Sequence, residues 1–349
     1  MQPTQPDAPE LRARLLDWYA RSARSLPWRA PPGSDRHADP YRVWLSEIML
    51  QQTTVAAVIP YFERFLAAFP TVEALAGAPR EQVLGLWAGL GYYARARNLH
   101  ACAQAVAARG GFPQTAADLQ TLPGVGPYTA AAIAAIAFGE AVVPVDGNVE
   151  RVLSRLWRIE DALPGARPAF RERAQAFAAR DGAADFAQAL MELGATVCTP
   201  RKPRCEACPW GRDCAARAAG DAERFPVKTA RPERPQRHGV CFALFDASGR
   251  VLVRSRPDKG LLGGMTELPG TPWRAALWTD REARIHAPVR ADWRPAGVVD
   301  HVFTHFSLSL EVWRADGDHP PGVGRSLTAD QLAAAALPSV FAKALTRAR

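Results

Sequence analysis

The chain has 349 residues, too many for one small domain; at about 150 residues per domain it has room for two, each with its own core. Hydrophobic residues at 48% and charged residues at 22% are globular proportions and exclude extensive disorder. The net charge of +8 permits a polyanionic partner without requiring one.

Residues 1–10 are polar and Pro-rich, with no apolar signal core, and the longest strongly apolar run, Tyr128–Phe138, is far short of a bilayer span. The expectation is a soluble, cytoplasmic protein. Residues 10–197 read as helix after helix, rich in Ala, Leu and Arg. The best signalled helix starts at Pro40, with Asp39 as its cap and Tyr41, Trp44, Leu45, Ile48 and Met49 as its apolar stripe. Glu47 falls just off that stripe, on the side of Gln51, where a side chain can face a cleft. By pattern alone it is equally an ordinary polar residue at a stripe's edge.

Leu122-Pro123-Gly124-Val125-Gly126-Pro127 separates two helical patterns, 115–121 and 127–138. Two glycines two apart allow a tight turn, and backbone N–H groups at the following helix start suit a phosphate. A hairpin serving only packing explains the same residues. Asp146-Gly147 is a turn-forming pair before another helical segment.

Four of the six cysteines, Cys198, Cys205, Cys208 and Cys214, crowd into the spacing C-x6-C-x2-C-x5-C. In a cytosolic chain this argues for metal over disulfides, and a single tight pair with two wider arms favours a [4Fe–4S] cube over zinc. A structural role is favoured over redox catalysis, and Arg201, Lys202 and Arg204 make the loop basic enough for phosphates. Residues 222–236, with three prolines, read as a linker. Beyond it the period becomes that of strands. Val240–Phe245 and Val251–Val253 flank a turn at 246–250, and from Val302 the even positions to Val312 suggest one apolar strand face. The expected fold is an all-α domain at 1–221 and a smaller α/β domain at 237–349.

Taken together, LPWR (26–29), WLSEIMLQQT (44–53), GLGYYARARNLH (89–100), LPGVGPYTA (122–130), VDGNVERVLSRL (145–156), ELGATVCTPRKPRCEACP (192–209) and HVFTHF (301–306) resemble the helix-hairpin-helix, iron–sulfur DNA glycosylases, and specifically the MutY-type adenine DNA glycosylases. The resemblance covers nearly the whole chain. It implies one [4Fe–4S] cluster on the four cysteines and a monomer acting in the cytoplasm on nucleoid DNA. The implied substrate is a duplex with adenine opposite 8-oxoguanine or guanine, from which adenine is flipped out and cut from its sugar. Glu47 is implied as the acid that protonates adenine, Asp146 as the carboxylate facing the cationic sugar, and Tyr128 as their neighbour. Arg29, Gln52, Thr53, Leu90, Tyr92, Gly124 and Gly126 are implied at the DNA, with Arg95 and Arg97 as further phosphate candidates.

The second domain resembles a Nudix fold that lacks the paired glutamates of GX5EX7REXXEEXG, so pyrophosphohydrolase chemistry is not expected. Phe303, Thr304 and His305 are implied as the reader of 8-oxoguanine, with Thr304 where the family more often has Ser. Of 43 Lys and Arg residues, only Lys202, Lys228, Lys259 and Lys343 are lysines. Tyr128 stands where strand-nicking relatives carry a Schiff-base lysine, and no lysine precedes Lys202, so a monofunctional enzyme is expected. A thymine-mismatch glycosylase and a non-catalytic, metal-stabilised DNA-binding protein are the competing readings.

Overall fold

The computed structural model describes residues 7–34, 38–229, 233–257, 260–335 and 337–349. By its internal contacts the chain divides into one unit of Met1–Leu86 with Arg95–Ala230, and a second of Trp87–Ala94 with Arg231–Arg349. Among the described residues no helix is long and apolar enough to cross a membrane.

The first unit is helical: α1 (Ala8–Ser22), α2 (Pro40–Leu50), α3 (Val55–Ala68), α4 (Val72–Gly77), α5 (Arg80–Trp87), α6 (Ala94–Arg109), α7 (Ala116–Leu119), α8 (Pro127–Phe138), α9 (Gly147–Leu156), α10 (Arg167–Gln175), α11 (Ala183–Thr196) and α12 (Ala215–Ala218). The Asp39 side chain caps α2 by accepting from the Tyr41 N–H at 2.9 Å, and the five stripe residues are all buried. Helix α8 is apolar all round and packs against α2, α7 and α11. Its run of alanines leaves little side-chain bulk on any face, so neighbouring helices can approach closely.

The turn before α8 shows why its first glycine is needed. Gly124 sits at φ +74°, and a Cβ there would fall 2.6 Å from Asn98 Cβ. Gly126, by contrast, has a β-region backbone and open space around its Cβ position. The stretch expected as a linker is packed onto the helical unit as far as residue 229. Phe225 is buried, and Leu163 pairs with the chain through Leu163 N–H to Val227 O (2.9 Å) and Thr229 N–H to Leu163 O (3.1 Å). An aromatic among the prolines, not visible as an element, ties this stretch down.

The second unit carries a six-stranded sheet of β1 (Gln236–Phe245), β2 (Val251–Ser255), β3 (Thr266–Glu267), β4 (Arg294–Val302), β5 (Ser307–Asp316) and β6 (Arg325–Leu327). The order is β3-β2-β1-β5-β4, with β1 and β5 parallel and β6 paired to β2. Helices α13 (Asp280–Arg284), α14 (Ala329–Ala334) and α15 (Ser339–Ala348) complete it, α15 packing on β4 and β5. The turn at 246–250 forms as expected, with the Asp246 carboxylate accepting from the Ser248 and Arg250 N–H groups.

One expectation fails here. Residues 302–312 are not one strand: the chain reverses at 303–306, Val302 pairs with Ser307, and Phe303 N–H donates to Phe306 O at 2.9 Å. Val302 is 60% exposed while Phe306, Leu308, Leu310 and Val312 are buried, so the even-numbered apolar face begins only after the turn. Thr304 and His305 occupy its exposed tip. Gly270, in the GGMTELPG stretch, is closely covered by β1, since a Cβ there would meet Val240 O at 2.5 Å.

Gly124→Ala is expected to cost about 1–3 kcal/mol in urea unfolding, because it combines a left-handed φ with a clash. Gly126→Ala should cost less than half as much, which the same titration checks.

Candidate functional site

A cleft of about 950 Å³ opens in the helical unit, and Arg29, Glu47, Gln52, Thr53, Tyr128 and Asp146 all line it. Six residues singled out from scattered sequence segments are thus brought together. Glu47 reaches it from the last turns of α2, Tyr128 from the first turn of α8, and Asp146 from the N-terminus of α9.

Glu47 is 7% exposed, and its Oε2 accepts a 2.8 Å hydrogen bond from the Tyr128 hydroxyl. That hydroxyl also lies 3.1 Å from Met191 Sδ. Burial pushes the Glu47 carboxyl up to about 7; the Tyr128 bond opposes the rise, Asp146 adds to it, and Arg29 opposes it. Burial likewise lifts the Tyr128 phenol well above its usual range. Near neutral pH, then, Glu47 is a carboxylic acid as often as a carboxylate, the state a general acid needs.

Asp146 is both a helix cap and a cleft residue. Its Oδ1 accepts from the N–H groups of Asn148 (2.9 Å) and Val149 (2.8 Å), and its Oδ2 accepts from Asn148 Nδ2 (2.8 Å). Burial raises its pKa, while these three donors, at the positive end of a helix, pull the other way. Two carboxyl groups therefore share one cleft with unequal hydrogen-bond support: one donor for Glu47, three for Asp146. Asn148 is held in turn by Arg151, whose guanidinium donates to Asn148 Oδ1 (2.8 Å), Gly194 O (2.7 Å) and Cys198 O (2.7 Å).

Two of the arginines named from sequence have partners within the helical unit. Arg29 turns inward and pairs with the buried Glu192 (2.8 Å), which also receives Arg24. Arg29 also lines the cleft. Arg95 donates to the carbonyls of Ile48 (2.9 Å), Met49 (3.1 Å) and Gln51 (2.6 Å), capping the C-terminal end of α2. Three carbonyls converging on one guanidinium use it as a helix cap. The Glu192 cluster was not found in sequence, where a lone Glu in an apolar helix carries no sign of two arginines from another segment. Gln52 holds a positive φ of 58° at the cleft's edge. In the Trp87–Ala94 segment, Tyr92 is 52% exposed at φ +48° and Leu90 is buried.

Cys198, Cys205, Cys208 and Cys214 line a second, smaller cavity, together with Arg155. Arg155, fully enclosed, donates to Cys198 Sγ (3.3 Å), Thr199 O (2.7 Å) and Pro200 O (3.0 Å). Among the described residues no three His, Cys, Asp or Glu side chains are disposed to hold a single metal ion. Burial pushes the Cys208 thiol up to about 12 and also raises Cys205 and Cys214, and charge on the neighbouring sulfurs adds to each rise. Four sulfurs crowded in this way carry their negative charges only around a cationic group, which suits an iron–sulfur cluster. In the second unit Phe303 stacks on Trp273, with ring centroids 5.5 Å apart, and Thr304 and His305 project beyond it.

The Glu47 shift sets a pH dependence. A carboxyl raised from 4.5 to about 7 on folding contributes its full stability below pH 4.5 and loses it as pH rises through 7. Glu47→Gln removes that loss. The variant should be more stable than the parent above pH 8 by about 1–3 kcal/mol, with the gap closing toward pH 4.5, as urea unfolding at both pH values will read.

Three family models match the chain: the HhH-GPD superfamily base excision DNA repair protein over residues 45–177, the iron-sulfur binding domain of endonuclease III over 198–214, and the NUDIX domain over 240–347. The chain is similar to the adenine DNA glycosylase of Homo sapiens, 36% identical over 403 aligned residues that cover 95% of this chain and 72% of that protein. It is 43% identical over 229 residues to the adenine DNA glycosylase of Mycobacterium tuberculosis, covering 64% of this chain and 71% of that one. Among solved structures it is similar to a thermostable thymine-DNA glycosylase, with a TM-score of 0.54 and 28% identity over 61% of this chain and 97% of that chain. The four cysteines thus lie in an iron–sulfur binding domain, and the chain belongs to the adenine DNA glycosylase family of base excision DNA repair proteins.

Proposed function

We propose that this chain removes adenine from duplex DNA where adenine lies opposite 8-oxoguanine or guanine. The observation that carries the reading is the pairing, in one cleft, of a carboxyl with a pKa near 7 and a second carboxyl held by three hydrogen-bond donors. Adenine is a poor leaving group until its imidazole ring is protonated, and the sugar left behind carries positive charge. Glu47 supplies the proton, with Tyr128 fixing the carboxyl's orientation through its 2.8 Å bond. The bond from the sugar to the base breaks as the base leaves neutral, and Asp146, ionised, stabilises the cationic sugar. Glu47, now a carboxylate, positions the water that adds to that sugar and takes up the proton the water gives up.

The N–H groups around Gly124 and Gly126 and the basic loop at 201–204 are suited to phosphates, and Gln52, Thr53, Leu90 and Tyr92 to the strand from which the base is drawn. Tyr92, exposed at the end of a short turn, is suited to act as a wedge. Thr304 and His305 read the partner base from the hairpin tip. Cys198, Cys205, Cys208 and Cys214 would hold one [4Fe–4S] cluster, which would tie down the basic loop at 201–204 between the first two of them. The protein acts as a monomer on nucleoid DNA. A thymine:guanine substrate is the second reading, favoured by the likeness to the thymine-DNA glycosylase structure.

Single-turnover assays separate the two. Adenine should leave an 8-oxoguanine:adenine duplex, with little thymine released from a guanine:thymine duplex, and Glu47→Gln should lower the rate by about 10² to 10⁴-fold. Thymine release at a comparable rate, or an unimpaired variant, would overturn the assignment. Borohydride should trap no stoichiometric protein–DNA adduct. Elemental analysis should find iron and acid-labile sulfide in equal amounts; zinc in their place would remove the cluster.

A further inference from the structure

The hairpin tip that carries Thr304 and His305 has few contacts of its own, since both side chains are exposed. Something else must hold it in one place, and the aromatic cluster at its base does so. Phe303 stacks on Trp273 at 5.5 Å with an interplanar angle of 28°, and lies 4.5 Å from His301 and 4.9 Å from Phe306. Trp273 is the member shared with the rest of the unit. It also packs near Phe306 and Phe341, and the Arg256 guanidinium lies 5.2 Å from its ring centroid. Arg256 is anchored in turn by the buried Glu267, which Arg254 also clamps at 2.7 Å.

The seat of the Trp273 ring is a bare patch of β1. Gly239 lies in that strand, and a Cβ there would stand 2.5 Å from Trp273 Cδ1. A glycine inside a strand weakens it, and a flat aromatic covering the gap recovers the lost packing. The indole therefore lies against β1 at Gly239 and is in contact with the Arg256 guanidinium and the ring of Phe303.

We propose that Trp273 is a positioning residue for opposite-base reading: seated on Gly239, it holds Phe303, and through Phe303 the Thr304–His305 tip, in the orientation that meets 8-oxoguanine. The proposal rests on the reading of residues 303–305 given above. Trp273 belongs to the second unit and is not among the residues lining the cleft of Glu47, Tyr128 and Asp146, so its loss is expected to change discrimination and not chemistry.

The test uses the full chain and two duplexes, 8-oxoguanine:adenine and guanine:adenine. Single-turnover rates across protein concentrations give both the apparent affinity and the saturated excision rate. In Trp273→Leu the preference for 8-oxoguanine should fall about three- to tenfold, the range an aromatic pair supplies. The saturated rate on guanine:adenine and its pH profile should stay within twofold of the parent. Gly239→Ala, which displaces the ring without removing it, should reproduce the loss, and Trp273→Phe should restore most of the preference. An unchanged preference in both Trp273→Leu and Gly239→Ala, or an equal loss on both duplexes, overturns the proposal. If Thr304→Gly with His305→Ala abolishes a preference that Trp273→Leu leaves intact, only the positioning role fails. If the parent protein shows no preference at all, the reading of the tip fails and the positioning role with it.

Discussion

Two buried carboxyl groups facing one cleft cannot both be comfortable as anions, and the rest of the structure depends on how that conflict is settled. Burial disfavours the charged form of each, and the charge of Asp146 adds to the rise at Glu47. The difference lies in their donors. Glu47 receives one hydrogen bond, from a phenol, whereas Asp146 receives three and sits at the positive end of α9. The weaker support is at Glu47, whose carboxyl burial pushes up to about 7. A single desolvated acid beside a supported carboxylate is a division of labour suited to breaking a glycosidic bond.

The scaffold reads as the means of holding that division in place. Helix α8, apolar on every side, is the post against which α2 and α11 pack, and it brings Tyr128 to the end of α2. Helix α9 presents Asp146 at its start, while Arg151 and Arg155 further along grip the backbone on either side of Cys198. The cysteine loop and the Asp146 carboxylate are thus fastened to the same ten-residue helix. Arg95 and Arg29, both drawn into the interior, serve the same end: one closes the carbonyl end of α2, the other balances Glu192 and faces Glu47.

Local signals were legible in the sequence wherever one residue does one local job. Asp39 as a cap, the stripe of α2, the Gly124 turn, the hairpin at 246–250 and the crowding of the four cysteines were all readable from neighbours alone. The trio that meets in the cleft was not. Glu47, Tyr128 and Asp146 come from three segments, and by pattern each is an unremarkable polar residue; only the resemblance to a family singled them out. The other illegible places share a cause as well. Arginines look alike on paper whether they meet water, phosphate or a buried carbonyl, so the inward turn of Arg29 and Arg95 was invisible. Alternation from Val302 to Val312 continued across a chain reversal because the turn residues happened to keep the period. Phe225, one aromatic among prolines, gave no hint that it anchors its stretch to the helical unit.

The most direct test of the central claim is a titration of the Glu47 carboxyl itself, by infrared difference spectroscopy of the parent protein against Glu47→Gln across pH 4 to 9. The account predicts a protonated-carboxyl band, lost in the variant, that bleaches with a midpoint of about 7. A midpoint near 4.5, the ordinary value for a glutamate, would show that the cleft does not hold a proton on Glu47 and would remove the acid from the mechanism.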